Sequence, residues 1–357
     1  MTTTLPSEAS PSADVFQSLE GVCAARGLDA LTQRLVELRV FLEDDLSQIE
    51  RGLGDVGGGD TPAQQSVRHL LDQDGKRLRP ICVALAARSG SGFNAAARVY
   101  AVAVEMVHNA TLLHDDVVDV GDRRRGADAA RVIYGNAASI FGGDWLLVDA
   151  LCRIQAVGQP GVLERMLAVV KEMVIAESLQ LARRGKVRSS TADYFAIISG
   201  KTAALFRWAM FAGARAGGLD ERATAALELY GQKLGVAFQI VDDVLDVAGD
   251  PSATGKSMLA DLREGKMTYP LILAMERDAS LASILEDAMA DDSSAVIDPQ
   301  ACAKVARAVV AARAGEDSLE LATKFCRDAV KCLEVLPHGR ARSSLEAVAM
   351  STPRRRK

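Results

Sequence analysis

Residues 227–246 read LELYGQKLGVAFQIVDDVLD. Leu227, Tyr230, Leu234, Phe238, Val241 and Leu245 recur at the helical period and give this stretch one apolar face. Gln232, Gln239, Asp242 and Asp246 recur at the same period on a separate, polar face. Residues four apart lie on one side of a helix, roughly 5.4 Å from each other along its axis. Two carboxylates so placed repel unless something neutralises them, and a cation is the simplest neutraliser. The spacing suits a hard cation and leaves positions open for phosphate oxygens.

Outward from this helix, one other stretch repeats the pattern. DDVVDVGD at 115–122 echoes DDVLDVAGD at 242–250, a repetition that suggests two elements facing one shared ligand. Four Asp–Asp pairs occur, but only two have a third Asp four residues after the first, Asp119 and Asp246. At Asp44–Asp45 and Asp291–Asp292 that position holds Gln48 and Ala295, and these pairs read as solvated acidic helix faces. His108, Thr111, Asp115 and Asp119 align on one face of a mostly apolar helix. The candidate metal ligands are therefore Asp115, Asp116, Asp119, Asp242, Asp243 and Asp246.

The rest of the chain reads as helix. Leu31, Leu35, Leu38, Leu42, Leu46 and Ile49 form another stripe, ended by a Gly/Asp loop from Gly52 to Gly59. Ala/Leu/Val segments follow, separated by short polar or glycine-containing loops, with no series of alternating strand patterns. Ala and Leu lose little rotamer freedom in a helix, and aromatics make up only 4% of the chain. The expectation is an all-α, single-domain helical bundle. Its bounds are a flexible arm over 1–28, the domain over 29–350 and a basic tail over 351–357.

Charge and composition exclude several classes. With 42 basic and 47 acidic residues the net charge is −5, so no chain-wide basic field for nucleic acid exists. Six scattered cysteines lack a CxxC pair, against a zinc site or disulfide scaffold and for a reducing compartment. The first residues lack the basic and apolar regions of a signal peptide, and no apolar run is long enough to span a bilayer. A cytoplasmic location is expected. The segment Gly249–Ser257 imitates a phosphate-binding P-loop, but five residues separate its glycines instead of four, and an amphipathic helix precedes it.

A metal–phosphate site also needs fixed cations. GKRLRP at 75–80 and RRRG at 123–126 flank the first aspartate cluster, while GKTAALF at 200–206 and DLREGK at 261–266 flank the second. This ordered set, with LLHDDVVD and FQIVDDVLD, resembles the trans-isoprenyl diphosphate synthases from about Leu31 to Met275. A terpene cyclase would carry an Asn/Ser/Glu-type second motif, whereas here it is a full DDVLD.

The resemblance implies a bundle of the isoprenoid synthase type with a deep central cavity, usually in a homodimer. It implies that Asp115, Asp119 and Asp242 ligate three Mg²⁺ bridging an allylic diphosphate, supported by Asp116, Asp243 and Asp246. It also implies that Arg124, Lys201, Thr202, Gln239 and Lys256 hold that leaving group, with Lys201, Thr202 and Lys256 nearest the chemistry. Lys76, Arg79, His108 and Arg125, with Lys266 nearby, would hold the diphosphate of isopentenyl diphosphate, and a lipid product would pass to a membrane. Asp74 departs from the family's Gly-Gly-Lys loop, and the STPRRRK ending departs from its helical end.

Product length should follow pocket depth below the metals. Ala110 and Thr111, one turn before Asp115, are small, whereas members making short products commonly place an aromatic there. A long all-trans polyprenyl diphosphate is expected. The alternatives are a floor at Phe141, Trp145 or Trp208 that stops the chain at geranylgeranyl or farnesyl length, or a non-catalytic isoprenoid-binding partner subunit.

Overall fold

The computed structural model describes residues 29–73, 75–248, 259–290 and 299–355. The arm over 1–28, Asp74, the P-loop look-alike with Lys256, and the pair Asp291–Asp292 lie outside the described residues. The chain is all-α, as the hydrophobic periods require. The only strands among the described residues are the two-residue pair Arg123–Arg124 and Ala127–Asp128, antiparallel with Arg124 opposite Ala127. No described helix is long and apolar enough to cross a membrane.

Contacts divide the chain into two compact units. The first comprises Met1–Leu163, Ala212–Leu219 and His338–Ala347. It carries α1 (Asp29–Gly54), α2 (Pro62–Leu71), α3 (Leu78–Arg88), α4 (Ala95–Val118), α5 (Ala130–Tyr134) and α6 (Asn136–Val157). The stripe on α1 is its buried face: Leu35, Leu38, Leu42 and Ile49 are wholly enclosed. Helix α4 begins at Asn94, whose side chain accepts the Ala97 N–H at 3.0 Å and so satisfies one of the helix's orphan donors.

Two features of this unit correct or extend the sequence reading. Asp45, read as part of a solvated face, is buried and takes the Arg88 guanidinium, with Nη2 2.8 Å from Oδ1. Arg88 lies 43 residues away, so local pattern could not reveal the pair. Arg77, the N-cap of α3 in left-handed backbone (φ 48°), is buried between Glu50 and Glu105 at 3.0 and 2.9 Å. Removing one partner of such a pair leaves a buried charge uncompensated. Arg77→Met is therefore expected to lower unfolding stability by about 3–5 kcal/mol. Urea denaturation measures it, and a loss inside experimental error would show the triad to be dispensable.

The second unit comprises Glu164–Phe211, Asp220–Pro337 and Val348–Lys357. The helices here are α7 (Val162–Arg183), α8 (Thr191–Ile198), α9 (Ala204–Ala216), α10 (Glu221–Ala248) and α11 (Ala260–Arg263). They continue as α12 (Tyr269–Arg277), α13 (Leu281–Ala290), α14 (Pro299–Ala311) and α15 (Ala314–Cys332); α16 (Arg340–Ser351) belongs to the first unit up to Ala347 and to the second from Val348. On α10, Leu227, Tyr230, Leu234 and Val241 of the apolar stripe are buried, and the aspartate motif occupies its C-terminal turns. Val247, Leu259, Leu262, Leu271, Leu285 and Val309 form a cluster that holds α11 and α12 beside those turns.

Candidate active site

In the first unit, α4 ends at Val118 and Asp119 stands one residue beyond, its N–H donating to the Asp115 carbonyl at 2.8 Å. The one-turn spacing of Asp115 and Asp119 thus survives the end of the helix. Both are half-buried, whereas Asp116, rotated by one residue, points inward and is 1% exposed. Arg124 Nε donates to Asp116 Oδ1 at 2.8 Å, while Asp116 Oδ2 is buried with no hydrogen-bond partner. Burial pushes the Asp116 carboxyl above its ordinary range, against the opposing pull of Arg124.

The RRRG stretch is a tight hairpin. Arg125 and Gly126 both have positive φ (50° and 84°), the backbone that a two-residue turn of primed type requires. This turn sets Arg125 beside the GKRLRP loop. Arg125 Nη1 donates to the Gln73 carbonyl at 3.3 Å, and a Cβ on Gly75 would stand 3.3 Å from the Arg125 guanidinium and 2.6 Å from Arg77 Nη1. A side chain at this position would require the Arg77 guanidinium to shift. Lys76 is exposed and Arg79 half-buried on the same loop and helix start. Burial, then the charges of Arg79, Arg125, Arg124 and Arg77, push the His108 imidazole well below its ordinary value, so it is neutral at neutral pH. The expected isopentenyl diphosphate residues Lys76, Arg79, His108 and Arg125 are thus gathered in one unit around a cation-rich loop. Ala110 is buried on α4 and the Thr111 hydroxyl donates back to the His108 carbonyl at 2.8 Å.

In the second unit, the three aspartates of α10 have distinct surroundings. Asp243 is buried and accepts the Tyr194 hydroxyl at 2.6 Å on Oδ2 and the Gln239 amide at 2.8 Å on Oδ1. Burial and the charge of Asp261 push its carboxyl well up, and burial beside Asp243 keeps Tyr194 protonated. Asp246 accepts the Ala260 and Asp261 N–H groups at 3.0 and 3.2 Å, anchoring the start of α11. Asp242, half-buried, receives Arg355 Nη2 at 2.9 Å, and the same guanidinium stacks over Phe238 at 4.0 Å. The basic tail therefore reaches back through Arg355 to the second motif.

Lys201 and Thr202 sit in a π-turn, Ser199–Ala203, inside a continuous helical run and not in a loop between helices. Gly200 explains it: a Cβ there would meet the Ala176 methyl at 2.7 Å and the Glu172 carbonyl at 3.0 Å, so the widened turn packs tightly on α7. Thr202 donates to Gln239 at 2.7 Å, and Lys201 is held by Glu177 and Gln180 at 2.5 and 3.0 Å. Lys266 pairs with Glu264 at 2.6 Å. A recess of about 110 Å³ in this unit is lined by Tyr194, Lys201, Thr202, Gln239, Asp243 and Lys266, among others.

The donor set fits Mg²⁺. Among the described residues no three carboxylate, imidazole or thiolate side chains converge as a closed cage. Each cluster instead presents one or two carboxylates of one-turn spacing. Mg²⁺ dehydrates reluctantly and completes its octahedron with water and substrate phosphates, so such open sites suit it. Tyr194 and Glu105 carry no motif signal, and Arg77 and Arg355 stood out only as members of basic stretches, because each acts through a partner distant along the chain.

Comparison with known proteins identifies the family. Residues 61–305 match the family model described as polyprenyl synthetase. The chain is 33% identical over 316 residues to octaprenyl diphosphate synthase of Haemophilus influenzae, covering 88% of this chain and 94% of the relative. It is 31% identical over 310 residues to heptaprenyl diphosphate synthase component 2 of Bacillus subtilis, covering 87% of each. The crystal structure of a polyprenyl synthase from Caulobacter crescentus, complexed with calcium and isoprenyl diphosphate, superposes with a TM-score of 0.84. It is 35% identical, over 90% of this chain and 97% of that one. The chain belongs to the polyprenyl synthetase family and is a prenyltransferase.

Proposed function

We propose that this chain condenses isopentenyl diphosphate with an allylic diphosphate, in the presence of Mg²⁺, to build a long all-trans polyprenyl diphosphate. The observation that carries the reading is the same division within both motifs. The first aspartate, Asp115 or Asp242, is half-buried, and the second, Asp116 or Asp243, is buried and bonded to the protein. The pair Asp44–Asp45 is divided likewise, with Asp45 buried against Arg88, but it lacks the third aspartate one turn on that Asp119 and Asp246 supply.

Mg²⁺, when bound, supplies the positive charge that makes diphosphate a leaving group. Asp115, Asp119 and Asp242 would hold it, and Arg124, Lys201, Thr202, Gln239 and Lys256 would hold the departing diphosphate. Lys76, Arg79, His108 and Arg125, with Lys266, would fix isopentenyl diphosphate so that its double bond meets the allylic carbon as the C–O bond breaks. Proton loss to the released diphosphate completes one elongation. A neutral His108 among arginines accepts or donates hydrogen bonds to phosphate without adding charge of its own. Incorporation of labelled isopentenyl diphosphate into solvent-extractable product, abolished by EDTA, tests the reaction class.

Further observations support the finer points. Long product is supported by the small, buried Ala110 and by the octaprenyl and heptaprenyl names of the relatives. Phe141, one of the alternative floors, is 63% exposed in the single chain, which speaks against it as the floor. A homodimer is supported by Ile140, Phe141 and Val148, which leave one face of α6 apolar and exposed. The described cysteines Cys82, Cys152, Cys326 and Cys332 are free thiols, consistent with a cytoplasmic enzyme. The "component 2" name of one relative favours, as a second reading, a partner subunit of a two-component enzyme; turnover by the isolated chain separates the two.

Arg355 bears on metal entry, since it covers the one carboxylate of the second motif that is not anchoring the fold. Arg355→Ala is expected to tighten Mn²⁺ binding, read by electron paramagnetic resonance, and to lower the Mg²⁺ concentration for half-maximal rate. Weaker binding in the variant would contradict competition between guanidinium and metal.

A further inference from the structure

Tyr194 does not belong to any of the aspartate or basic motifs, yet its hydroxyl ends a chain of hydrogen bonds through the second unit. Tyr194 donates to Asp243 at 2.6 Å, Gln239 donates to Asp243 at 2.8 Å, and Thr202 donates to Gln239 at 2.7 Å. The chain joins α8, α10 and the π-turn that also carries Lys201. Each link fixes the next. With Asp243 accepting from Gln239 Nε2, the Gln239 amide must present its oxygen to Thr202, and the direction of the Thr202 hydroxyl follows. The Tyr194 ring is itself fixed, buried and stacked on Tyr269 with centroids 5.5 Å apart, and edge-on to Phe195.

We infer that Tyr194 is a positioning residue for the allylic diphosphate and its metal, acting through Asp243, and not a residue that touches either. The inference rests on the function proposed above. On α10, Asp243 directly follows Asp242 and stands four residues after Gln239, so the carboxylate that Tyr194 holds adjoins a proposed metal ligand and lies one turn from a proposed diphosphate contact. A buried carboxylate oxygen that loses its hydroxyl donor is left unsatisfied, and Asp243 keeps the Gln239 amide as its other donor. Loss of the Tyr194 hydroxyl therefore frees the Asp243 carboxylate to turn, and with it the Gln239 amide and the Thr202 hydroxyl whose directions it sets. The cation-rich loop of the first unit has no part in the chain, so isopentenyl diphosphate should be unaffected.

Tyr194→Phe removes the hydroxyl and keeps the ring stack. Mn²⁺ binding in the presence of inorganic diphosphate, read by electron paramagnetic resonance, is expected to weaken by about tenfold or more. KM for the allylic substrate should rise in step, while KM for isopentenyl diphosphate stays at its wild-type value and the melting temperature falls only by the cost of one buried hydrogen bond. Unchanged Mn²⁺–diphosphate affinity would overturn the inference. So would a rise in KM shared equally by both substrates together with a larger fall in melting temperature, the mark of a merely structural tyrosine. Asp243→Asn provides the second variant: it keeps an acceptor for Tyr194 and is expected to weaken Mn²⁺–diphosphate binding less than Asp243→Ala, and the reverse order counts against the inference. If the wild-type protein elongates nothing, the proposed function falls, and the Mn²⁺–diphosphate arm still decides on Tyr194. If the wild-type protein binds no Mn²⁺–diphosphate, both fall.

Discussion

Asp115→Ala and Asp242→Ala should each lower turnover by about a thousandfold or more, since each decade is worth 1.36 kcal/mol of barrier and an electrostatic contact to a departing charge supplies several. Neither change should unfold the protein. Asp115 is half-buried near the end of α4, and Asp242 is half-buried with Arg355 upon it. The neighbouring positions behave oppositely. Asp116→Ala leaves Arg124 facing a void, and Asp243→Ala strands the Tyr194 hydroxyl and the Gln239 amide, so both should lose stability as well as rate. Circular dichroism melts alongside product assays check this contrast. Near-normal turnover in Asp115→Ala or Asp242→Ala would remove that residue from the proposed metal site.

The second large effect concerns product length. Ala110→Phe should shift the products to C20 or shorter while the enzyme continues to turn over. Ala110 is 2% exposed on α4, about one turn before the first aspartate, where a growing chain would pass below the metals. A phenyl ring there has no open solvent to swing into and must take volume from the proposed channel. Overpacking of this kind costs roughly 1–3 kcal/mol, so some loss of melting temperature should accompany the change. Chromatographic sizing of dephosphorylated products gives the answer. An unaltered length distribution would place the channel elsewhere.

What was legible in the chain, and what was not, divides along a physical line. The helical stripes were legible because burial of one face imposes a 3.6-residue period: Leu35 to Ile49 on α1 and Leu227 to Val241 on α10 are buried as their spacing demands. The pairing of Asp115 with Asp119 and of Asp242 with Asp246 was legible for the same reason. The adjacent aspartates were not separable by pattern, because their roles depend on partners supplied by packing: Arg124 for Asp116, and Tyr194, 49 residues away, for Asp243. Asp45 resembled a solvated acid until Arg88 arrived from α3. Arg355 resembled a tail charge, yet it closes on Asp242 across 113 residues. Lys201 and Thr202 were identified by type and order, whereas the π-turn that presents them follows from Gly200 against α7.

The most direct test is to incubate the purified chain alone with Mg²⁺, isopentenyl diphosphate and farnesyl or geranylgeranyl diphosphate, and to size the extracted prenyl chains. The account predicts successive five-carbon additions to an all-trans product longer than C20. Products that stop at C20 would contradict the proposed length. Absence of any elongation by the isolated protein would contradict the central claim that this chain is itself the synthase.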